Sequence, residues 1–365
     1  MTDLFSPITL GSLQFPNRIA VAPMCQYSAD DGCASDWHLQ HWMTLAMSGA
    51  GMITVEMTDV ERRGRISHGC LGLYSDANEA AAKRALDAAR RVANPGTKFG
   101  VQIAHAGRKA SCQRPWEGGG PLGPDQDPWE TVSASAIPFD QGWHTPRALT
   151  EAEIEEMIGR FVTAARRAQR AGFDFIELHG AHGYLMHQFL SPLSNMREDR
   201  WGGSLENRMR FHVTVAQEVA RAVPGLMLGM RLSVKDWVEG GLTEDESVEV
   251  AKALKAVGVQ YICCSSGGNS PLQKIPMGPG YQVHLAEHIR KGADIPVRAV
   301  GMIDDPHQAN EIIVKGRADI VALARPLLAD PRWPWRAAAA LGHEMPVAPQ
   351  YARAAHLPKK WVQAA

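Results

Sequence analysis

Short runs of apolar, β-branched residues recur along the chain, at Ile19–Met24, Gly51–Val60, Lys98–Ala106, Phe173–His179, Leu226–Ser233, Val259–Ser265, Ile295–Met302 and Ala318–Arg325. Each reads as a strand covered on both faces, because polar residues do not alternate with the apolar ones. Between them, apolar positions return at helical spacing over Ala77–Val92, Glu151–Ala171, Glu206–Val223, Glu244–Val257, Val283–Lys291 and Pro306–Lys315. The helix starts carry their own signals. Ser75-Asp76, Thr150-Glu151-Ala152-Glu153 and Thr243-Glu244-Asp245-Glu246 place a capping hydroxyl ahead of acidic first turns, and Asp304-Asp305-Pro306 puts proline near a first helical position.

Continuous apolar strands alternating with helices predict a parallel sheet under a layer of helices, and eight such units predict a closed (β/α)8 TIM barrel. A doubly wound open sheet would carry GxGxxG after an early strand, and the chain has none there. No linker divides residues 1–365, so one domain is expected. One stretch breaks the rhythm. Residues 111–149 hold Pro115, Gly118-Gly119-Gly120, Pro121, Pro124, Pro128, Pro138 and Pro146 with Trp116, Trp129 and Trp143. That is too long for an ordinary βα loop and reads as an excursion after strand three, on the face where barrels keep their chemistry.

Composition narrows the classes. Hydrophobic residues make up 45% of 365 and charged residues 21%, as in a globular protein, and the net charge of −1 comes without a basic run. Nucleic acid and acidic membranes are therefore not expected as partners. The six cysteines show no CxxC spacing, which argues against a zinc ribbon or iron–sulfur cluster. No signal-peptide pattern and no long apolar span is seen, so a cytoplasmic protein with reduced thiols is expected.

The strand ends carry the candidate chemistry. Strand four runs into His179-Gly180-Ala181-His182-Gly183-Tyr184, two imidazoles and a phenol that no core requires. They suit two neutral donors gripping one polar atom while a third group hands over a proton. The His-x-x-His spacing also occurs in metal sites, but no third ligand is spaced to complete a shell, so no metal is expected. Strand one ends in Pro23-Met24-Cys25-Gln26-Tyr27, where Cys25 reads either as a small buried hydrophobe or as an active-site thiol. Gln102, inside strand three, needs either backbone partners or a ligand with an amide-like edge. Arg231, inside strand five, needs either a carboxylate of the protein or an anionic ligand. Small residues at Ser265-Ser266-Gly267-Gly268, Gly301 and Ala324, with Arg325, mark the recurrent phosphate site of such barrels. Together these ask for a phosphorylated, planar, redox-active ligand, which is flavin mononucleotide (FMN).

The same segments resemble the old yellow enzyme family of ene-reductases, in its thermophilic-like branch. The resemblance runs over nearly the whole length. It is carried by Asn17-Arg18-Ile19 leading to Pro23–Tyr27, by Gln102-Ile103-Ala104-His105-Ala106-Gly107-Arg108-Lys109-Ala110, and by His179–Leu185. Phe189-Leu190-Ser191-Pro192 and Gly202-Gly203-Ser204-Leu205-Glu206-Asn207-Arg208 complete it. It implies a single FMN-binding barrel reduced by NADPH or NADH, with activated alkenes (enones, maleimides, nitro compounds) as substrates. Ala22, Pro23, Met24, Cys25 and Met57 would contact the isoalloxazine, with Cys25 tuning its potential. Gln102 and Arg231 would bind the pyrimidine edge, and Gly301, Ala324 and Arg325 the phosphate. His179 and His182 would hold the substrate oxygen, Tyr184 would donate the proton, and Tyr27 would help position the substrate. Arg353 matches an arginine that reaches into a neighbouring subunit's site, implying a homodimer or homotetramer with the tail at about 345–365, including Tyr351 and Trp361, at the interface. Two departures are Ala324, where the family has glycine, and Met57, where it has a small alanine. The rival readings are an FMN carrier or sensor and a phosphate-binding barrel without redox chemistry. The second would want a catalytic lysine or paired carboxylates inside the strands.

Overall fold

The computed structural model describes residues 2–357 and 360. Its eight core strands are Ile19–Val21, Met52–Asp59, Lys98–Ala104, Phe175–Gly180, Met227–Ser233, Tyr261–Ser265, Val297–Ala299 and Ile320–Leu323, numbered one to eight below. Each pairs in parallel with its sequence neighbours, and strand eight pairs back to strand one, so the sheet closes into the expected barrel. Strands one and seven stop earlier than the apolar pattern suggests. Beyond Val21 and Ala299 the chain turns out into the mouth, and positive φ at Tyr27 (51°), Gly301 (122°) and Met302 (49°) ends the ladder.

The helices cover the outside as their spacing requires. In the helix Asp76–Val92, Ala82, Ala85, Leu86 and Ala89 form the buried stripe, and Ser75 accepts from the Asn78 N–H at its start. Fully burying a side chain such as Leu86 is worth about 1.5–3 kcal/mol. Thr150, Thr243 and Asp305 cap the helices Glu151–Ala171, Glu244–Ala256 and Pro306–Val314 as expected. The helix Asp36–Ala46 has no counterpart in the sequence reading. Its buried stripe is His38, Trp42, Leu45 and Ala46, and a histidine at that position masks the apolar period. A hairpin of Ile8–Leu10 and Leu13–Phe15 was also not foreseen. It plugs the end of the barrel where strands begin, with Phe15 edge-on to Phe175 at 6.4 Å.

The excursion 111–149 is fastened down. The Arg108 guanidinium reaches the carbonyls of Ile137 and Pro138 at 3.3 Å each, Trp129 Nε1 donates to the Arg63 carbonyl at 2.8 Å, and Arg197 donates to the carbonyls of Ala134 and Leu149. It lies over the mouth, where the ring of Trp116 meets that of Tyr27 edge-on at 5.9 Å.

Candidate active site

Strand four delivers His179 into the mouth, and the turn after it folds His182 and Tyr184 back over the same place. His182 takes a positive φ of 58°, held by its N–H to Ser233 Oγ at 2.9 Å. Gly183 then passes so close to the loop after strand six that a Cβ would stand 2.3 Å from the Gly268 carbonyl oxygen. Only glycine fits there. Behind the turn, the Gly183 N–H donates to His187 Nδ1 at 2.9 Å, and His187 Nε2 meets Asp236 at 3.0 Å.

The rings face one another. The imidazoles of His179 and His182 stand edge-on at 5.1 Å, and the Tyr184 ring is edge-on to His179 at 4.9 Å. His179 Nδ1 accepts from the Ala181 N–H at 3.2 Å, which leaves the proton on Nε2. That nitrogen lies 3.4 Å from His182 Nδ1, so His182 carries its own proton on Nε2, 2.7 Å from Ser265 Oγ. Burial, reinforced by the nearby Arg231 charge, holds both imidazoles well below their ordinary pKa. They are neutral N–H donors at neutral pH. Burial pushes the Tyr184 phenol well above its ordinary value, with the Cys25 thiol nearby as the next cause, so its proton stays in place.

Beside this trio lies the end of strand one. Ala22 is buried, while Pro23, Met24, Cys25 and Tyr27 are half-buried. Burial raises the Cys25 thiol well above its usual range and raises Tyr27 as well. Met57 is buried at a register shift in the pairing of strands two and three and packs in one cluster with Cys25, Tyr27 and Tyr184.

The opposite half of the mouth looks different. Arg231 pairs in register with His179, is 9% exposed, and its buried Nε has no partner. The protein carboxylate considered for it in the sequence is absent among the described residues. A cavity of about 320 Å³ opens beside it, lined by His182, Arg231, Ser266, Gly301, Ala324 and Arg325 among others. At Gly301 a Cβ would lie 2.6 Å from Gln282 Nε2, so the backbone there stays bare. A buried cation without a counter-charge, next to a cavity floored by glycine and rimmed by a second arginine, fits an anionic phosphorylated ligand. FMN meets that description.

Gln102 lies one layer down, where its amide donates to a side chain, Glu177, at 2.8 Å, and not to neighbouring backbone. Two residues quoted only as part of a motif turn out to hold the mouth together. Lys109 Nζ donates to the carbonyls of His182 and Gly268 at 3.0 Å each, and Arg108 donates to the carbonyl of Asn269 at 2.6 Å. Consecutive basic residues just past a strand end were the available signal. Burial, then the Arg108 charge, lowers Lys109 to about 8. Among the described residues no three His, Cys, Asp or Glu side chains gather as a metal would require, and no helix is long and apolar enough to cross a membrane.

Arg353 is exposed in the turn Pro349–Ala354 and has no hydrogen bond or ion pair among the described residues. Asn94 Nδ2 donates to the Pro346 carbonyl at 3.3 Å, and Pro346–Tyr351 line a cavity with Met47 and Arg91–Pro95 at the barrel end where strands begin, which sets the turn carrying Arg353 away from its own chain's mouth. Trp361 lies outside the described residues.

Known proteins give this geometry its context. An NADPH dehydrogenase of Geobacillus sp. (strain WCH70) is 44% identical over 354 residues, covering 96% of this chain and 98% of the relative. A morphinone reductase solved with tetrahydroNAD superposes with a TM-score of 0.76 at 29% identity, over 96% of this chain and 94% of that one. A 2-naphthoyl-CoA reductase solved with 2-naphthoyl-CoA gives 0.80 at 29% identity, over 93% of this chain but 52% of that longer one. The family model described as "NADH:flavin oxidoreductase / NADH oxidase family" matches residues 3–344. The chain therefore belongs to that family, the old yellow enzymes, and is an FMN-dependent NAD(P)H oxidoreductase.

Proposed function

We propose that this oxidoreductase is an ene-reductase that reduces the carbon–carbon double bond of enones, maleimides or nitroalkenes. The observation that carries the reading is the neutral histidine pair with the Tyr184 phenol edge-on beside it. Bound FMN, reduced by NADPH or NADH, supplies the hydride. The chain supplies the rest. To hold the carbonyl or nitro oxygen, the His179 Nε2–H exchanges its long 3.4 Å contact with His182 Nδ1 for the substrate, and the His182 Nε2–H exchanges Ser265 Oγ for it, so that both draw electron density from the β-carbon without giving up a proton. Tyr184 keeps its proton until the α-carbon needs it and then donates it. Tyr27 and Trp116 bound the substrate side, and Cys25 adjoins the reactive ring. Arg231 and Gln102 hold the pyrimidine edge, Ala22–Met24 and Met57 the ring, and Gly301, Ala324 and Arg325 the phosphate.

Arg353, remote from its own mouth and without a partner among the described residues, serves the site of another copy in a cytoplasmic homo-oligomer. The test is anaerobic. Purified protein is expected to be yellow, to bleach with NADPH, and to recover its colour on adding cyclohexenone. Bleaching without recovery with any of a panel of enones, maleimides and nitroalkenes would make it a flavin carrier instead.

A further inference from the structure

Beneath the mouth the barrel holds a buried charged network. Glu177 and Arg298, both fully buried, form an ion pair. Arg298 also donates to Thr54 Oγ1 at 2.9 Å, and the Tyr261 hydroxyl donates to Glu177 Oε2 at 2.9 Å. The fourth contact is Gln102 Nε2 to Glu177 Oε1 at 2.8 Å. Buried ion pairs are weak stabilisers, and apolar replacements of similar volume often do as well. The network therefore calls for another account.

A carboxylate can only accept hydrogen bonds, whereas an amide offers a donor at one end and an acceptor at the other. By accepting from Nε2, Glu177 fixes which end of Gln102 faces down. Gln102 Oε1 has no protein partner among the described residues. Gln102 and Glu177 are register partners on strands three and four, and Glu177 shares a face of its strand with His179, two residues on. The free oxygen therefore belongs to the layer under the His179–Arg231 pair.

We infer that Glu177, held by Arg298 and Tyr261, is a positioning residue that makes Gln102 present an acceptor to the ligand. This rests on the reading that Gln102 meets the flavin's pyrimidine edge. That edge carries one N–H between two carbonyls. An amide oxygen matches the N–H while Arg231 matches a carbonyl. A flipped amide would set donor against donor.

The test uses Glu177→Gln, Gln102→Ala and the exchange Glu177→Gln/Gln102→Glu, each checked for folding by circular dichroism. In the exchange, the amide introduced at position 177 still accepts from Arg298. It donates to the carboxylate introduced at position 102, so an acceptor again faces the ligand. Glu177→Gln is expected to weaken FMN binding about tenfold and to shift the NMR signal of the flavin N3 proton. The exchange is expected to restore affinity to within about threefold and to lower the midpoint potential, since a negative charge now adjoins the ring. A folded Glu177→Gln protein with unchanged affinity and N3 proton shift would overturn the inference. Should that variant not fold, an exchange variant that holds FMN no better than Gln102→Ala would overturn it equally. Unchanged FMN affinity in Gln102→Ala would instead remove the underlying contact, a separate failure.

Discussion

The two halves of the barrel mouth differ in how far the protein satisfies its own polar groups. On the side of strands three and four the protein itself holds the histidine turn: Ser233, Ser265, Lys109 and His187 bond to it, and Arg108 holds the loop next to it. On the side of strands five to eight, Arg231 is buried with its Nε unpartnered, and Arg325 stands at the rim of an open cavity. The first half is finished without a ligand. The second half carries an electrostatic cost that a ligand removes. On the proposed reading, machinery that must keep its geometry is built closed, while the half proposed to seat the cofactor is built incomplete, so that binding energy comes from charge the fold leaves uncompensated.

The strongest way to break this contrast is Arg231→Met. If the arginine exists for the ligand, the variant loses FMN while the apo-protein keeps or gains stability. Removing one partner of a buried charge pair costs about 3–5 kcal/mol, on the order of a thousandfold in affinity. Flavin fluorescence titration and apo thermal melts measure both. An apo-protein that melts several degrees lower, with FMN affinity intact, would mean that Arg231 belongs to the finished half.

Within the finished half the effects should separate by step. Tyr184→Phe is expected to slow reoxidation by cyclohexenone on the order of a hundredfold, as loss of a general acid does. Reduction by NADPH should stay within about twofold, because that step takes no proton from the phenol. Stopped-flow traces of the two half-reactions decide it, and equal slowing would remove Tyr184 as the donor. His179→Ala is expected to weaken binding of a phenol ligand about tenfold, one charge-assisted hydrogen bond, seen as loss of the long-wavelength charge-transfer band. An undiminished band would show that the imidazole does not hold the ligand's oxygen.

How much of this was legible in the sequence follows from the same physics. The strands are apolar on both faces, so they stand out. Histidines at a strand end and an arginine inside a strand are conspicuous because no core wants them. Arg298 in Val297-Arg298-Ala299 and Glu177 in Phe175-Ile176-Glu177-Leu178 break the same rule, and applying it to them would have exposed the pair. A pattern of paired carboxylates or a lone lysine does not include them, and opposite charges lying 121 residues apart have no local spacing to signal them. The hairpin plug was hidden by its brevity, and the helix Asp36–Ala46 by the histidine in its buried stripe. Lys109 looks like half of a solvated basic pair. Only the folded mouth shows that it is enclosed.

That enclosure gives the smallest effect, and its sign is fixed. Lys109 is lowered to about 8 from an ordinary 10.5. Between those values the unfolded chain holds a proton on this amine that the folded chain has released. The folded state therefore gains stability as pH rises from about 8 towards 10.5. The gain is at most about 1.4 kcal/mol per pH unit, and less where water reaches the amine. Two neighbours stay outside that window: burial pushes Cys112 up to about 12 and lifts Tyr184 well above its usual value. Arg108, which burial lowers to about 10, acts only at the top of the window and is present in both proteins, so the difference between wild type and variant is read from about pH 8 to 9. Thermal melts of the apo-protein across this range should show a rising contribution in the wild type that Lys109→Met lacks. Parallel pH curves for the two proteins would mean that the amine stays charged between the His182 and Gly268 carbonyls. Solvent would then reach into the finished half of the mouth, and the contrast between the two halves would be one of degree.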